Sequence, residues 1–522
     1  MVRNFLTGSL FKRSMQPSKR IRRGAVACAV VTTLAAPAGA SAASAGAAWH
    51  FRSAPTLRPP ELTVTTNAHR LPGSSLIFTT PFKDADVASP EVGQPGALIM
   101  DTRGNPVWFH PTQKREVDED LQPQTDNGKP VLTFWQGVLA TQSGATANGL
   151  PAGAPEPGAA FEILNQRYQV IKTIKGQDGW TADYHEFLIT PQGDALYLVA
   201  KTVKANLSTE GGAARGAYED SGVQALNLAT GKVLYTWDMA DHVPLTQSAV
   251  AAPKAGVWDP YHLNSIFVAG DGSLIISARN TWSVYDISPT ASGGPIDWTL
   301  DAKPKATDST FTLGAGAAFS WQHDAQLQRS GELTLFDDHC CALGQKLAKP
   351  LPSARGEVLA LSFTTHTATL VHSYPHSPPL LVPTQGNMQT LSGGDVFLDW
   401  GQQPVISAAT ASGHLIYNAA LPAADSTYRA YLLPWTGLPG GKPAISVVRT
   451  GANATVYASW NGATRVAAWE LLAGAGRRLK ALGKVARAGF ETAIHIQGAR
   501  TLNFQIKALD ARGTVLASSA IR

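Results

Sequence analysis

Three segments of the chain open on a histidine and run through a glycine turn into a hydrophobic strand. They are Asp183-Tyr184-His185-Glu186-Phe187 ahead of Gly193, Tyr261-His262-Leu263-Asn264-Ser265 ahead of Gly272, and Trp321-Gln322-His323-Asp324-Ala325 ahead of Gly331. A fourth, Gln385-Gly386-Asn387-Met388-Gln389 ahead of Gly394, keeps the plan with Asn in place of His. The polar residue stands 8, 10, 8 and 7 residues before its glycine, and successive polar residues lie 77, 61 and 64 residues apart. Polar groups repeated at one position per module meet only if the modules surround an axis. That is the geometry of a β-propeller, whose blades point their inner strands at a central channel.

The rest of the chain reads as strand. Val223–Leu228 turns at Thr230-Gly231 and returns as Val233–Trp237. Trp282–Ile287 with Ile296–Trp298, and Val358–Phe363 with Ala368–Tyr374, repeat that hairpin. Each alternates with period two between turn residues, and no stretch of helical period competes. About six such blades fit between residues 61 and 437, with 43–60 as an N-terminal linker. After the Gly437–Pro443 turn cluster, residues 438–522 hold short alternating strands with Trp460 and Trp469 as core candidates. The expected fold is therefore all-β: a roughly six-bladed β-propeller followed by an immunoglobulin or fibronectin-like β-sandwich.

The net charge of +5 misleads. Residues 1–42 carry seven basic and no acidic side chains, and the remainder is close to neutral, so nothing points to nucleic acid or an anionic membrane. Those residues have the plan of a secretory signal: a basic stretch ending at Arg22-Arg23, a 13-residue apolar run from Gly24 to Ala36, and small residues at Ala40-Ser41-Ala42. The run is too short to span a bilayer, so the mature protein is expected outside the cytoplasm with no membrane span. Its cysteines are then Cys340 and Cys341, neighbours that could close a vicinal disulfide and cannot alone build a zinc site.

His262-Leu263-Asn264-Ser265, Ser277-Ala278-Arg279, Gln322-His323-Asp324-Ala325 and Leu335-Phe336-Asp337 stand in an order and spacing that resembles the arylsulfotransferase family over about residues 90–435. The resemblance implies a propeller enzyme that moves a sulfuryl group from a phenolic sulfate ester to another phenol through a sulfated histidine. It implies no nucleotide sulfate donor and no cofactor, an aryl sulfate donor and a phenolic acceptor as partners, and His323 as the nucleophile. The residue types suit that chemistry. A neutral imidazole is nucleophilic near pH 7 and forms a labile N–S bond. Arg279 can fork to two sulfuryl oxygens. His262 and Asn264, two apart, are expected to share a strand face and bind the same group. His185 is a candidate proton carrier for the phenolic oxygen. Asn387 either lines the channel or holds a turn.

Blander readings stand beside these. A lone histidine more often hydrogen-bonds within a core than reacts, and His339, His366, His372, His376 and His414 are read that way. Asp183 and Asp259 are read as satisfying turn amides. Asp324 is expected to face away from His323. Two other classes stay open: a non-catalytic propeller binding glycan or protein at the cell surface, and a metal enzyme with His185, His262 and His323 as ligands. Arg279 argues against a cation in that pocket.

Overall fold

A computed structural model of the protein describes residues 47–68, 71–83, 90–113, 115–140, 150–151, 153–288, 294–304, 306, 308–339, 353–499 and 502–522. The expected signal peptide and the Cys340-Cys341 pair lie outside these residues. Among the described residues the chain is all-β, its only helical turns being the 3-10 segments Met239–Asp241, Leu245–Gln247 and Arg279–Thr281.

Five sheets follow one another along the chain, each entered by one strand and built outward by antiparallel pairing, with the short strands Val257–Trp258 and Thr312–Leu313 added in parallel to the second and fourth. The first sheet runs Val117–Asp126, Lys129–Gly137, Ala160–Asn165, Val170–Ile174. The second runs Thr181–Ile189, Asp194–Ala205, Gly216–Asn227, Val233–Asp238. The third is Leu263–Val268, Leu274–Ala278, Ser283–Ile287, Ile296–Asp301, and the fourth His323–Leu327, Glu332–Asp337, Arg355–Ser362, Thr367–Pro375. The fifth, Asn387–Thr390 through Leu415–Ala420, gains Thr63–Asn67 at its outer edge. A sixth sheet joins both ends of this region: Ala430–Pro434 pairs with Ser75–Thr79, which continues into Gly96–Met100 and Pro106–Pro111.

Alternating apolar residues on these strands face the neighbouring sheet on each side. Trp135 and Phe161 of the first sheet pack on Phe187 and Tyr197 of the second. Val223 and Trp237 meet Ile266 and Ile276 of the third, and Val284 and Leu300 meet Leu333 and Leu335 of the fourth. Phe336 meets Met388 and Leu398 of the fifth, Phe397 and Ile406 meet Leu98 and Leu432 of the sixth, and Phe78 and Ile99 return to Leu132 and Phe134 of the first. The apolar clusters thus follow one circuit. The entering strands also contact one another in that order, and Ala430–Pro434 touches Val117–Asp126 to complete it. Each fully buried Leu, Ile or Phe contributes roughly 1.5–3 kcal/mol, which makes this packing the main stabilising term.

Residues 444–522 form two further antiparallel sheets, of three and four strands, around Val456, Ile494, Trp469, Phe504 and Ile506. They hold to the circuit through Asn461, which exchanges two hydrogen bonds with the Phe109 backbone, and through Tyr168, whose hydroxyl donates to the Gly462 carbonyl at 2.8 Å. Gly462 has φ +83°, and a Cβ there would lie 2.2 Å from the Tyr168 ring, so only glycine fits. The segment expected as a linker lies along the same sheets: Phe51 stacks on Phe490 at 4.3 Å, and Glu491 accepts the Arg52 and Ser53 amides.

Candidate active site

The entering strands carry the motif residues, and four of them are bulged there. Register slips between Glu119 and Gln122, Ala182 and Phe187, Leu263 and Ser265, and His323 and Gln326. Asp120, His262 and Asp324 take left-handed φ values of 54°, 53° and 52°. A bulge inserts an extra residue and re-aims the side chains around it. Polar groups that plain alternation would send to opposite faces therefore reach the axis.

There the three histidines come together. The His185 and His262 rings lie 4.8 Å apart, edge to face. The charges that press most on buried His323 are those of Arg279, His185, His262 and Arg429. Each histidine has a carboxylate at Nδ1: Asp183 with His185 and Asp259 with His262, both at 2.5 Å, and Asp338 with His323 at 3.0 Å. In the first two the acid accepts from Nδ1–H and so leaves Nε2 as the ring's unprotonated nitrogen. Burial alone would raise Asp183, but the charge and hydrogen bonds of His185, aided by His262, outweigh it and hold the carboxyl below its usual range. The Asp338 contact is close without being aligned as a hydrogen bond, leaving both partners unsatisfied. Burial pushes the Asp338 carboxyl well above its usual range against the pull of Arg279. Burial, then the Arg279 charge, pushes His323 well below 6.5, so its imidazole is neutral at physiological pH. The Gln385 amide points at Nε2 from 3.3 Å.

Arg279 begins the 3-10 turn after Leu274–Ala278 instead of continuing a strand, and its amide donates to the His262 carbonyl at 2.9 Å. Its guanidinium lies over the Trp321 ring, 4.8 Å from the centroid, and donates to Asn280 Oδ1 and the Pro383 carbonyl. Nε is buried without a partner. A guanidinium held with an unused donor is prepared for an oxyanion.

Two sequence readings need correction. His262 and Asn264 do not share a strand face, because His262 is left-handed and the strand begins after it at Leu263. Asn264 Nδ2 donates to the Gln322 carbonyl at 2.7 Å, so one of its two N–H groups already braces the residue before His323. Asp183 and Asp259 are histidine partners, although Asp183 also accepts the His185 amide. Asp324 does turn away from His323, accepting Gln326 Nε2 and the Met388 amide. Asn387 Oδ1 accepts the Ala430 amide, while Nδ2 is buried and unpartnered.

Sequence reasoning missed the groups beneath the histidines. Arg429, 1% exposed, donates to Glu186 and Tyr431 through Nη1 and to the Asn264 carbonyl through Nη2. The Tyr428 hydroxyl lies 3.0 Å from the His185 carbonyl and 2.9 Å from that of Asn264. The sixth entering strand has neither the histidine nor the glycine spacing that marked the others. Among the described residues, no group of three or more His, Cys, Asp or Glu is arranged to hold a metal ion, and no helix is long and apolar enough to cross a membrane.

A family model described as arylsulfotransferase (ASST) matches residues 122–421, more than half of the chain and all of the histidine motifs. The chain belongs to the arylsulfotransferase family. The search of curated proteins found no match. Among solved structures, a protein of unknown function from Bacteroides caccae aligns at TM-score 0.40 and 10% identity, covering 69% of this chain and 100% of its own. A virginiamycin B lyase from Staphylococcus aureus aligns at TM-score 0.33 and 9% identity, covering 77% and 96%. At these scores the structural likenesses carry no argument, and the family assignment rests on the sequence match.

Proposed function

We propose that this arylsulfotransferase is a secreted six-bladed β-propeller that moves a sulfuryl group from a phenolic sulfate ester to another phenol, with His323 as the covalent carrier and no nucleotide donor. The circuit of six sheets, the shared sixth sheet and the pairwise apolar clusters support the propeller reading. The two C-terminal sheets with their common core support an immunoglobulin or fibronectin-like sandwich, and the leader composition supports export.

One observation carries the chemistry: His323 is a buried neutral imidazole with an acid at Nδ1 and a partly unsatisfied guanidinium beside it. In the first half-reaction the donor's sulfuryl group sits against Arg279, with His185 and His262 presenting Nε2. The Gln385 amide gives up the Nε2 lone pair, Nε2 attacks sulfur, the S–O bond to the aryl oxygen breaks, and that oxygen leaves with the electron pair as a phenolate to be protonated. The ring is now cationic, with an Asp338 carboxyl oxygen 3.0 Å from Nδ1. In the second half-reaction the acceptor oxygen attacks sulfur, the N–S bond breaks and neutral His323 returns. One sulfuryl pocket serves both partners in turn, so the kinetics are ping-pong.

A chromogenic aryl sulfate with added phenol tests the reading. Phenol-dependent release with parallel double-reciprocal lines, and an acid-labile mass addition on the His323 peptide when the acceptor is withheld, are expected. Intersecting lines with no label on that peptide would remove the covalent route. No turnover at all would leave the binding-propeller alternative.

A further inference from the structure

The first entering strand has no histidine, yet its bulge repeats that of the fourth, with the same Asp and Gln in the same places. Glu119-Asp120-Leu121-Gln122 stands against His323-Asp324-Ala325-Gln326. Glu119 pairs with Trp135 and Gln122 with Thr133 across a bulge, as His323 pairs with Phe336 and Gln326 with Thr334 across another. Asp120 and Asp324 share the left-handed φ, and Gln122 and Gln326 each donate to that Asp, at 3.0 Å and 2.8 Å. The Gly128 turn follows Glu119 by 9 residues, within the range of the histidine motifs. Glu119 therefore occupies on its strand the position that the nucleophile occupies on the fourth.

Its surroundings are those of a group with a task. Glu119 is wholly buried; Oε2 accepts the Thr80 hydroxyl at 3.0 Å, and Oε1 has no partner. The Tyr184 ring stacks 3.9 Å from the His185 ring, and the charges of Asp183, Glu119, Arg279 and Asp259 all act on its hydroxyl. Burial first, then the neighbouring Asp118, Asp120 and Asp399, push the Glu119 carboxyl well above its usual range despite Thr80, so it holds a proton. His185, by contrast, has its Nδ1 committed to Asp183.

We infer that Glu119 is the acid and base on the phenolic oxygen, a catalytic residue opposite the nucleophile. This rests on the double-displacement reading above. As the S–O bond to the donor's aryl oxygen breaks, Glu119 gives that oxygen its proton and becomes a carboxylate. In the second half-reaction the carboxylate takes the acceptor phenol's proton while the acceptor oxygen attacks sulfur. Glu119 and neutral His323 are then both restored, with no other reactant needed.

The test is a series of aryl sulfates whose phenols span a wide range of pKa, run with wild type, Glu119→Gln and Glu119→Asp. Glu119→Gln keeps the size and the Thr80 contact. It is expected to lose about 10²–10⁴-fold in kcat/KM with poorly acidic leaving phenols, the usual worth of general acid–base catalysis. With 4-nitrophenyl sulfate, whose leaving oxygen needs little protonation, it should lose only a few-fold and still label His323. Glu119→Asp should recover part of the loss, whereas a merely structural residue would be rescued by Gln and not by Asp. Equal leaving-group dependence in wild type and Glu119→Gln, with His323 labelled in both, would overturn the role of Glu119 and leave the sulfotransferase reading intact. A wild type that neither releases phenol nor labels His323 would overturn both.

Discussion

Replacing Arg429 by Met should cost the fold a large part of its stability, by an amount that depends on pH. The guanidinium is 1% exposed and stands where the entering strands converge. Its Nη1 lies 2.8 Å from Glu186 and 3.7 Å from Asp120, which at an effective dielectric near 20 gives gross attractions of about 6 and about 4.5 kcal/mol. Desolvating three ions takes back most of that. The net effect of removing one partner is then the usual cost of a broken buried pair, about 3–5 kcal/mol. The Asn264 carbonyl also loses a donor. The two stranded carboxyls can relieve themselves by taking protons. Asp120 is already raised to about 7, burial first and the Glu186 charge second, against the pull of Arg429. Without the guanidinium both acids rise further, so the deficit should be largest near pH 8 and shrink on acidification. Denaturant unfolding followed by the fluorescence of the 13 tryptophans would measure it. Adding Glu186→Gln and Asp120→Asn should recover much of the loss. A deficit under about 1 kcal/mol at pH 8, or one that does not change with pH, would refute the claim that Arg429 is held by ionised partners.

Other outcomes follow from the same geometry. His323→Ala and His323→Asn should both abolish transfer and the labelled peptide, since an amide nitrogen is not nucleophilic; rates within a few-fold of wild type would remove His323 from its role. Arg279→Lys should fail badly in kcat/KM, because an ammonium cannot fork to two sulfuryl oxygens. Protonation takes away the His323 lone pair, and burial, then Arg279, holds its pKa well below 6.5. The acidic fall of kcat/KM should therefore lie beneath pH 6.5, and in Arg279→Met the residual activity should fall at a higher pH; an unmoved limb would contradict the coupling. Gly386→Ala should slow sulfation of His323, because a Cβ would meet Phe336 at 2.7 Å and the Asp399 carbonyl at 2.8 Å in a residue with φ +99°. That displaces the Gln385 amide from Nε2, and unchanged label kinetics would show the contact to be idle.

Much of this was legible in the sequence. Period-two alternation marked the strands, and the glycine after each motif fixed where an entering strand turned back. His185, His262 and His323 could therefore be assigned to equivalent positions. The bulges were not legible, because no residue type demands them: Asp120, His262 and Asp324 are left-handed without being glycine. The shared face of His262 and Asn264, which rested on strict alternation, failed there. The acids at Nδ1 were hidden for a related reason. Asp259 reaches back from three residues before His262, while Asp338 comes from the chain beyond the neighbouring strand. Glu119 carried the right offset, but a search for histidine passes over it. Arg429 and Tyr428 approach the axis from the far end of the circuit, a placement set by closure of the ring and invisible to local pattern.

The buried polar atoms left without partners sharpen the location of the site. A folded protein satisfies nearly all such atoms, so an orphan marks strain, an unseen ion or water, or a place where a ligand completes the bonding. Around the axis the orphans include His323 Nδ1, Arg279 Nε, Asn387 Nδ2, Glu119 Oε1 and both Asp338 oxygens. They divide by chemistry. Arg279 and Asn387 offer donors to an anion, whereas Glu119 and Asp338 offer oxygens to a proton or a cation. A metal ion would suit the second set and be repelled by the first; a bare anion would suit the first and be repelled by any ionised member of the second. An aryl sulfate meets both demands. In the proposed reaction its three terminal oxygens would accept from the Arg279 side, its bridging oxygen would gain or lose a proton as the bond to sulfur breaks or forms, and the imidazole would become cationic only while it carries the group. The disposition of unsatisfied donors and acceptors thus favours a ligand that is anionic at one end and exchanges a proton at the other over either alternative left open by the sequence.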